Sequence, residues 1–276
     1  MRVEVTRTTP IYNSPETTGV FVQWKIEEPP ADTAIIFRVE RSGSPDGPFE
    51  LVAENIATFH YFDGARHLPV PLTGTRENLN FLSLQRTVYY KISATAGATT
   101  VHAIEVVGDH LPKRQALLRR KMQRDIRVGF KFSSVPLVVL KRRHWGLRCK
   151  LCFDLLTKKV TKSRCESCYS TGFEGGFFAP VRIEGRVSPY AVQSQITQQD
   201  VVESEQKALT ILDYPLVEID DVIAELHANK RYVVKHVSRT ELRTVPVHQR
   251  VNMSELSRDS IEYRLLINAD HIPVIY

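Results

Sequence analysis

The chain has 276 residues, of which 42% are hydrophobic and 25% charged, and a formal net charge of +6. That composition is ordinary for a folded protein, and the length exceeds one small core, so two or three domains are expected. No run of about 18 apolar residues is present, which excludes a membrane-spanning helix and any membrane partner reached through one. The N-terminal MRVEVTRTTPIYN lacks the apolar stretch of a signal peptide, so synthesis in a reducing cytoplasm is expected, with metal binding or free thiols favoured over disulfides. Charge is uneven. Thirteen Lys or Arg stand against Asp125 alone between Lys113 and Lys150, and seven acids stand against Lys207 alone between Val201 and Glu225. Blocks of opposite sign suggest surfaces that meet oppositely charged ones, and solvated faces are the plainer reading of each.

Residues 1–110 read as short strands. Val20, Val22, Trp24 and Ile26 alternate with Phe21, Gln23 and Lys25. Ile35, Phe37 and Val39 alternate with Ile36, Arg38 and Glu40, and Val88, Tyr90, Ile92 and Ala94 with Tyr89, Lys91 and Ser93. A period of two puts one set toward a core, and GSPDGP, FDGA and TAGATT supply turns between the runs. An antiparallel sandwich is expected. FRVERSGSPDGPFELVAENI followed by YFDGA, with Trp24 upstream and TVYYKISAT downstream, resembles a fibronectin type III domain. The resemblance implies that Trp24 fills the middle of the sandwich. It departs at Val88, where many such domains carry a corner tyrosine, and at RHLPVPLTGTRENLNFLS (66–83), which is long for a sandwich loop.

Residues 111–140 read as a basic helical linker. Leu117, Leu118, Met122 and Ile126 fall at helical spacing amid basic residues, with Pro112 at the first turn and Gly129 as a stop. Such a helix binds nucleic acid or a membrane surface, or packs its stripe on a neighbouring domain; packing is favoured, because the stripe is short and lacks bulky anchors. VPLVVLKRRHWG then leads as a short apolar segment into the cysteines.

All four cysteines lie between 149 and 168. Cys149 and Cys152 form one C-x-x-C, Cys165 and Cys168 the other, and twelve residues separate the pairs. Each pair folds as a tight turn aiming two sulfurs at one centre, and the spacer is long enough for a hairpin to return. Four thiolates in a tetrahedron match a closed structural zinc site, with no open position for water and no hydrolytic chemistry. A four-thiolate iron centre, and free or redox thiols without a metal, are the competing readings. Lys150, Lys158, Lys159, Lys162 and Arg164 would offset the negative charge of the cluster, and His144 stands outside the paired pattern as a non-ligand. The module, 141–182, has too few aliphatics to hold itself, and a structural zinc supplies on the order of 10 kcal/mol of folding free energy.

The wider stretch LKRRHWGLRCKLCFDLLTKKVTKSRCESCYSTGFEGGFFAPV, Leu140 to Val181, resembles a segment of neck and head-completion proteins of tailed bacteriophages. It departs from the glycine of the CYGTG version at Ser170. Residues 183–276 alternate again, at Tyr232 and Val234, at Val245, Val247 and Val251, and in a final strand expected in DSIEYRLLI. This region resembles the small β-barrel of phage head-closure proteins. No H-E-x-x-H, G-x-S-x-G or P-loop is present, and the nine histidines are scattered.

The expectation is a mainly β, non-enzymatic chain: sandwich, basic linker, four-cysteine zinc knuckle and C-terminal barrel. The resemblance implies a virion protein made in the host cytoplasm, forming a homo-oligomeric ring in the neck. Its partners there would be portal or adaptor and tail proteins, with packaged DNA within reach. Opposite charges on 113–150 and 201–225 would help subunits find their register. A zinc-ribbon nucleic-acid binder and a baseplate or tail-fibre attachment protein are the alternatives.

Overall fold

The computed structural model describes residues 1–11, 19–64, 88–107, 113–154, 156–162, 164–188, 192–196, 201–242, 245–267 and 272. The 66–83 insert and Pro112 lie outside the described residues. The chain is mainly β, with one α-helix among the described residues, and it divides into two units.

The first unit, residues 1–117 with 144–148, carries two antiparallel sheets. β1 (Arg2–Ile11), β2 (Gly19–Glu27) and β5 (His60–Gly64) form one in the order β1-β2-β5; β3 (Ile36–Ser42), β4 (Glu50–Ile56), β6 (Tyr89–Ala96) and β7 (Thr99–Val106) form the other in the order β4-β3-β6-β7. The sheets face each other across the core that the period-two runs predict. Trp24 from β2 meets Phe37 from β3 at a centroid distance of 5.1 Å, and Val39, Tyr90, Ile92 and Ala94 are buried beside them. Burying a side chain such as Phe37, Val39 or Ile92 contributes roughly 1.5–3 kcal/mol. His144–Arg148 groups with this unit: Trp145 lies edge-on to Phe37 at 5.2 Å, and the Arg148 N–H donates to Asp32 Oδ1 at 2.8 Å.

One feature of this core has no periodic signature. Arg41 points inward from β3, and Asp63 on β5 receives both its Nη1, at 3.0 Å, and the Tyr90 hydroxyl, at 2.6 Å. A buried carboxylate is tolerated because it is paired and hydrogen-bonded. The aspartate of the turn-like sequence FDGA thus joins the two sheets.

The second unit, Leu118–Arg143 and Cys149–Ile275, is built on a closed barrel of six antiparallel strands. These are β8 (Val135–Leu140), β11 (Val181–Ser188), β13 (Val201–Leu212), β14 (Val222–Glu225), β15 (Lys230–Leu242) and β16 (Val245–Glu255), in the order β11-β8-β14-β15-β16-β13. Pairing of Arg186–Ser188 with Ala208–Thr210 closes it, and β12 (Val192–Ile196) adds to β13 at the side. Closure removes exposed edges. The interior is narrow: a Cβ on Gly185 would fall 2.6 Å from Leu209 Cδ1 and 3.1 Å from Leu137 Cδ1.

VPLVVL is a barrel strand, not only a lead into the cysteines. Leu137, Val138, Val139 and Leu140 are all buried. One face follows the register of Ile183 and Val181 into the barrel; the other joins Phe177, Val222, Ala224 and Ile272 in an outer cluster. A strand covered on both faces reads as a continuous apolar run. DSIEYRLLI is not the final strand expected: Ile261–Arg264 is a 3₁₀ turn. The Arg231 guanidinium donates to the Glu262 and Leu265 carbonyls, and the Arg231 N–H donates to the Tyr263 hydroxyl. The turn thereby satisfies carbonyls that a strand would have offered to a neighbour.

The helix, α1 (Lys113–Ser133), runs past Gly129 for a further turn carrying buried Phe130. Polar anchors join the half-buried Met122 and Ile126 of the aliphatic stripe. Gln123 Nε2 donates to Asp213 Oδ1 at 2.8 Å, as Arg119 does to Oδ2, and Arg127 donates to the Tyr214 hydroxyl at 3.1 Å. Leu117 and Leu118 are about half exposed. Lys141, also buried, reaches Glu218 at 2.8 Å and Asp221 at 3.4 Å. These members of the basic and acidic blocks therefore pair within one chain.

Candidate metal centre

The cysteine segment is a long loop between two adjacent barrel strands. The β8–β11 ladder continues beyond Leu140: Phe178 N–H donates to the Lys141 carbonyl at 2.9 Å, Arg142 bridges Phe177, and Arg143 N–H donates to the Gly176 carbonyl at 3.0 Å. The Arg143 side chain adds a bond to the Phe177 carbonyl at 3.0 Å and lies over the Phe178 ring. The base of the loop is thus zipped before the first cysteine.

Each C-x-x-C closes as a turn. Phe153 N–H donates to the Cys149 carbonyl at 3.0 Å, and Tyr169 N–H to the Cys165 carbonyl at 2.8 Å. Thr171 caps the second turn, its N–H and hydroxyl both reaching the Cys168 carbonyl, at 2.9 and 2.7 Å. Thr161 does the same for Cys152 at 2.7 and 2.9 Å. Between the pairs, β9 (Phe153–Asp154) and β10 (Lys159–Val160) form the expected hairpin. Cys149 N–H bonds the Gly172 carbonyl at 3.0 Å, drawing the two turns together.

The result brings all four predicted residues to one point. The sulfurs of Cys149, Cys152, Cys165 and Cys168 lie within 4.8 Å of one another. Cys149 and Cys165 are 3.7 Å apart and Cys152 and Cys168 3.2 Å, without a disulfide. A tetrahedron with metal–sulfur bonds near about 2.3 Å has sulfur–sulfur edges of roughly 3.8 Å. The cluster is buried, and its donor set suits one soft or borderline metal ion. His144 is not part of it.

Glycines and strained residues set the turn geometry. Tyr169 and Ser170 adopt φ of 49° and 64°, and Gly176 has φ of 66°. A Cβ on Gly176 would sit 2.6 Å from the Cys168 carbonyl oxygen. Ser170, which departs from the glycine of the resembling segment, therefore occupies a backbone conformation that favours glycine.

Electrostatics differ around the ring of sulfurs. Burial raises the thiol of Cys152, and neighbouring thiols raise it further; burial likewise raises Cys168. Burial pushes Cys165 up too, but N–H groups of Ser167 and Cys168 and the thiols of Cys152 and Cys149 outweigh it and bring Cys165 to about 7. Four thiolates this close repel one another, and a bound cation is what allows all of them to ionise.

The outer side of the loop carries features that spacing does not disclose. Leu151, Leu156 and Val160 are exposed, with Lys150, Lys158, Lys159, Lys162 and Arg164 on the same segment. Exposure depends on which way the hairpin turns, and the only sequence signal is aliphatic residues interleaved with lysines.

Comparison with protein-family models, with curated proteins and with solved structures finds no match.

Proposed function

We propose that this chain is a structural protein of a tailed-bacteriophage particle, placed in the neck that joins head to tail, and that its four cysteines hold a structural zinc ion. The segment Leu140–Val181 carries the reading. The resemblance of that segment implies a four-cysteine zinc module, and that of residues 183–276 a small barrel; the cysteine segment folds as a four-sulfur loop spliced between β8 and β11 of a six-stranded barrel, which supports the reading. A soft four-thiolate set favours zinc in a closed site, where it supplies folding free energy and no open coordination position. We read the first unit as a fibronectin type III-like domain: the order β1-β2-β5 over β4-β3-β6-β7, with Trp24 between the sheets, supports this. The role is mechanical, with the barrel contacting further copies in a ring and the loop contacting portal, adaptor or tail proteins.

Mass spectrometry and labelled-antibody imaging of purified particles test the reading. The chain should be present at the head–tail junction; its absence from particles, or a position at the baseplate, would overturn it.

A nucleic-acid-binding role is the second reading, favoured by the exposed cations Arg114, Lys121, Arg124 and Lys131 of α1 and those of the cysteine loop. It predicts affinity falling with salt at a log–log slope near about −0.9 per phosphate contacted. Burial of Arg119 and Lys141 against acids of the same chain removes two charges from that surface.

A further inference from the structure

We propose that the tip of the cysteine loop is a preformed docking knob for an acid-rimmed apolar pocket on another protein. The inference rests on the reading of the four cysteines as one metal clasp, and it names the chemistry of the partner that the loop meets.

Leu151 is 65% exposed, Leu156 is 93% exposed and Val160 is 39% exposed. All three fall in a segment whose interior is a ring of sulfurs, so the tip has no core of its own in which to place them. Exposed aliphatics gain free energy only when another apolar surface covers them. Around them stand Lys150, Lys158, Lys159, Lys162 and Arg164, all exposed, and none forms an ion pair among the described residues. An apolar centre ringed by cations is complementary to an apolar pocket ringed by carboxylates.

The residue types favour a protein over a nucleic acid. The segment 149–164 has one aromatic, Phe153, which is half-buried in the hairpin, so nothing on the tip offers a base a stacking face. Leucines gain nothing against phosphates. Four of the five cations are lysines, whereas phosphate and base-edge recognition favours the forked guanidinium.

Five of the seven acids in the chain's own acid-rich stretch already have partners within the same chain. Asp213 is held by Arg119 and Gln123, Glu218 and Asp221 by Lys141, Asp220 by Arg142, and Glu225 by Tyr232. The metal clasp and the capped turns hold the tip in one shape, so little ordering entropy is lost on docking.

Fluorescence anisotropy with the zinc-loaded full chain tests this against three labelled probes: an amphipathic peptide of Glu and Leu, a poly-Glu peptide of equal charge, and a duplex oligonucleotide of equal charge. The Glu/Leu peptide should bind about tenfold more tightly than either other probe. The double variant Leu151→Ser, Leu156→Ser should erase that advantage while keeping its zinc, and Lys158→Glu with Lys159→Glu should weaken both peptides. Equal binding of the two peptides, or tighter binding of the duplex, would overturn the proposal. So would self-association of the chain in sedimentation that Leu156→Ser abolishes. A chain missing from particles would sink the neck assignment and leave this inference standing; equal peptide binding would do the reverse.

Discussion

Arg119 and Asp213 form a buried ion pair: Nη2 lies 2.5 Å from Oδ2, with the side chains 2% and 0% exposed. Gln123 completes the carboxylate from the same helix. The contact ties α1 to the end of β13, and each charge is tolerated because the other is there. Asp213→Ala should destabilise the second unit by about 3–5 kcal/mol, by leaving Arg119 buried without its carboxylate. Urea titration followed by far-ultraviolet circular dichroism checks this. A double variant, Arg119→Met with Asp213→Leu, should recover most of the loss, because no charge then stays unpaired.

On the proposed zinc reading, the metal holds the loop and not the barrel. Chelation, or Cys165→Ser, should abolish stoichiometric zinc and speed amide exchange across 149–172. Exchange in β13, β15 and β16 should stay slow, since those strands pair with one another and not with the loop. Hydrogen exchange by mass spectrometry resolves the two regions, and loss of protection throughout the barrel would count against the division.

Two substitutions in the second turn should act in opposite directions. Ser170→Gly relieves a positive φ of 64° and should stabilise the zinc-loaded protein by about 1 kcal/mol. Gly176→Ala places a Cβ against the Cys168 carbonyl and should lower zinc affinity. Competition with a colorimetric chelator measures both.

The first unit should weaken in acid. His60 stacks on Phe21 at 5.4 Å and meets Phe59 at 4.5 Å, and burial lowers its pKa from 6.5 to about 4. The unfolded chain therefore binds a proton that the folded chain refuses. The associated stability is fully present above pH 6.5 and is lost as pH falls through about 4, up to about 3 kcal/mol in all. Denaturant midpoints measured across that window should slope in the native chain and flatten in His60→Gln.

The strand around Ile92 was legible because one residue in two is buried, and the cysteine cluster because its spacing states a ligand set. β2 alternates in sequence but not in burial: Phe21 and Gln23, on the face expected to be the outer one, are buried with Val20, Val22 and Trp24. β8 was not legible as a barrel strand. A run buried on both faces has no period, and its partners β11 and β14 lie far along the chain. The helix was legible, but its buried side was not: Arg119 and Gln123 look like solvent-facing residues until Asp213 is placed opposite them. The charge blocks show the same limit. Counting signs reveals that two segments attract, and cannot tell whether they meet in one chain or across two. Arg119, Lys141 and Arg142 meet their acids at home.

Val139 stands opposite Val181, and the pairing of their strands runs on to Arg143 and Gly176. The points where the cysteine loop leaves and re-enters are thus fixed a strand spacing apart, whatever lies between them. Closing a longer insertion across fixed ends adds only a logarithmic entropy cost. Beyond His144–Arg148, which packs within the first unit, the insertion is therefore a natural grafting point: recognition elements of other lengths and chemistries could be exchanged from Cys149 onward while the barrel keeps its register, the barrel acting as chassis and the cysteine loop as an interchangeable fitting.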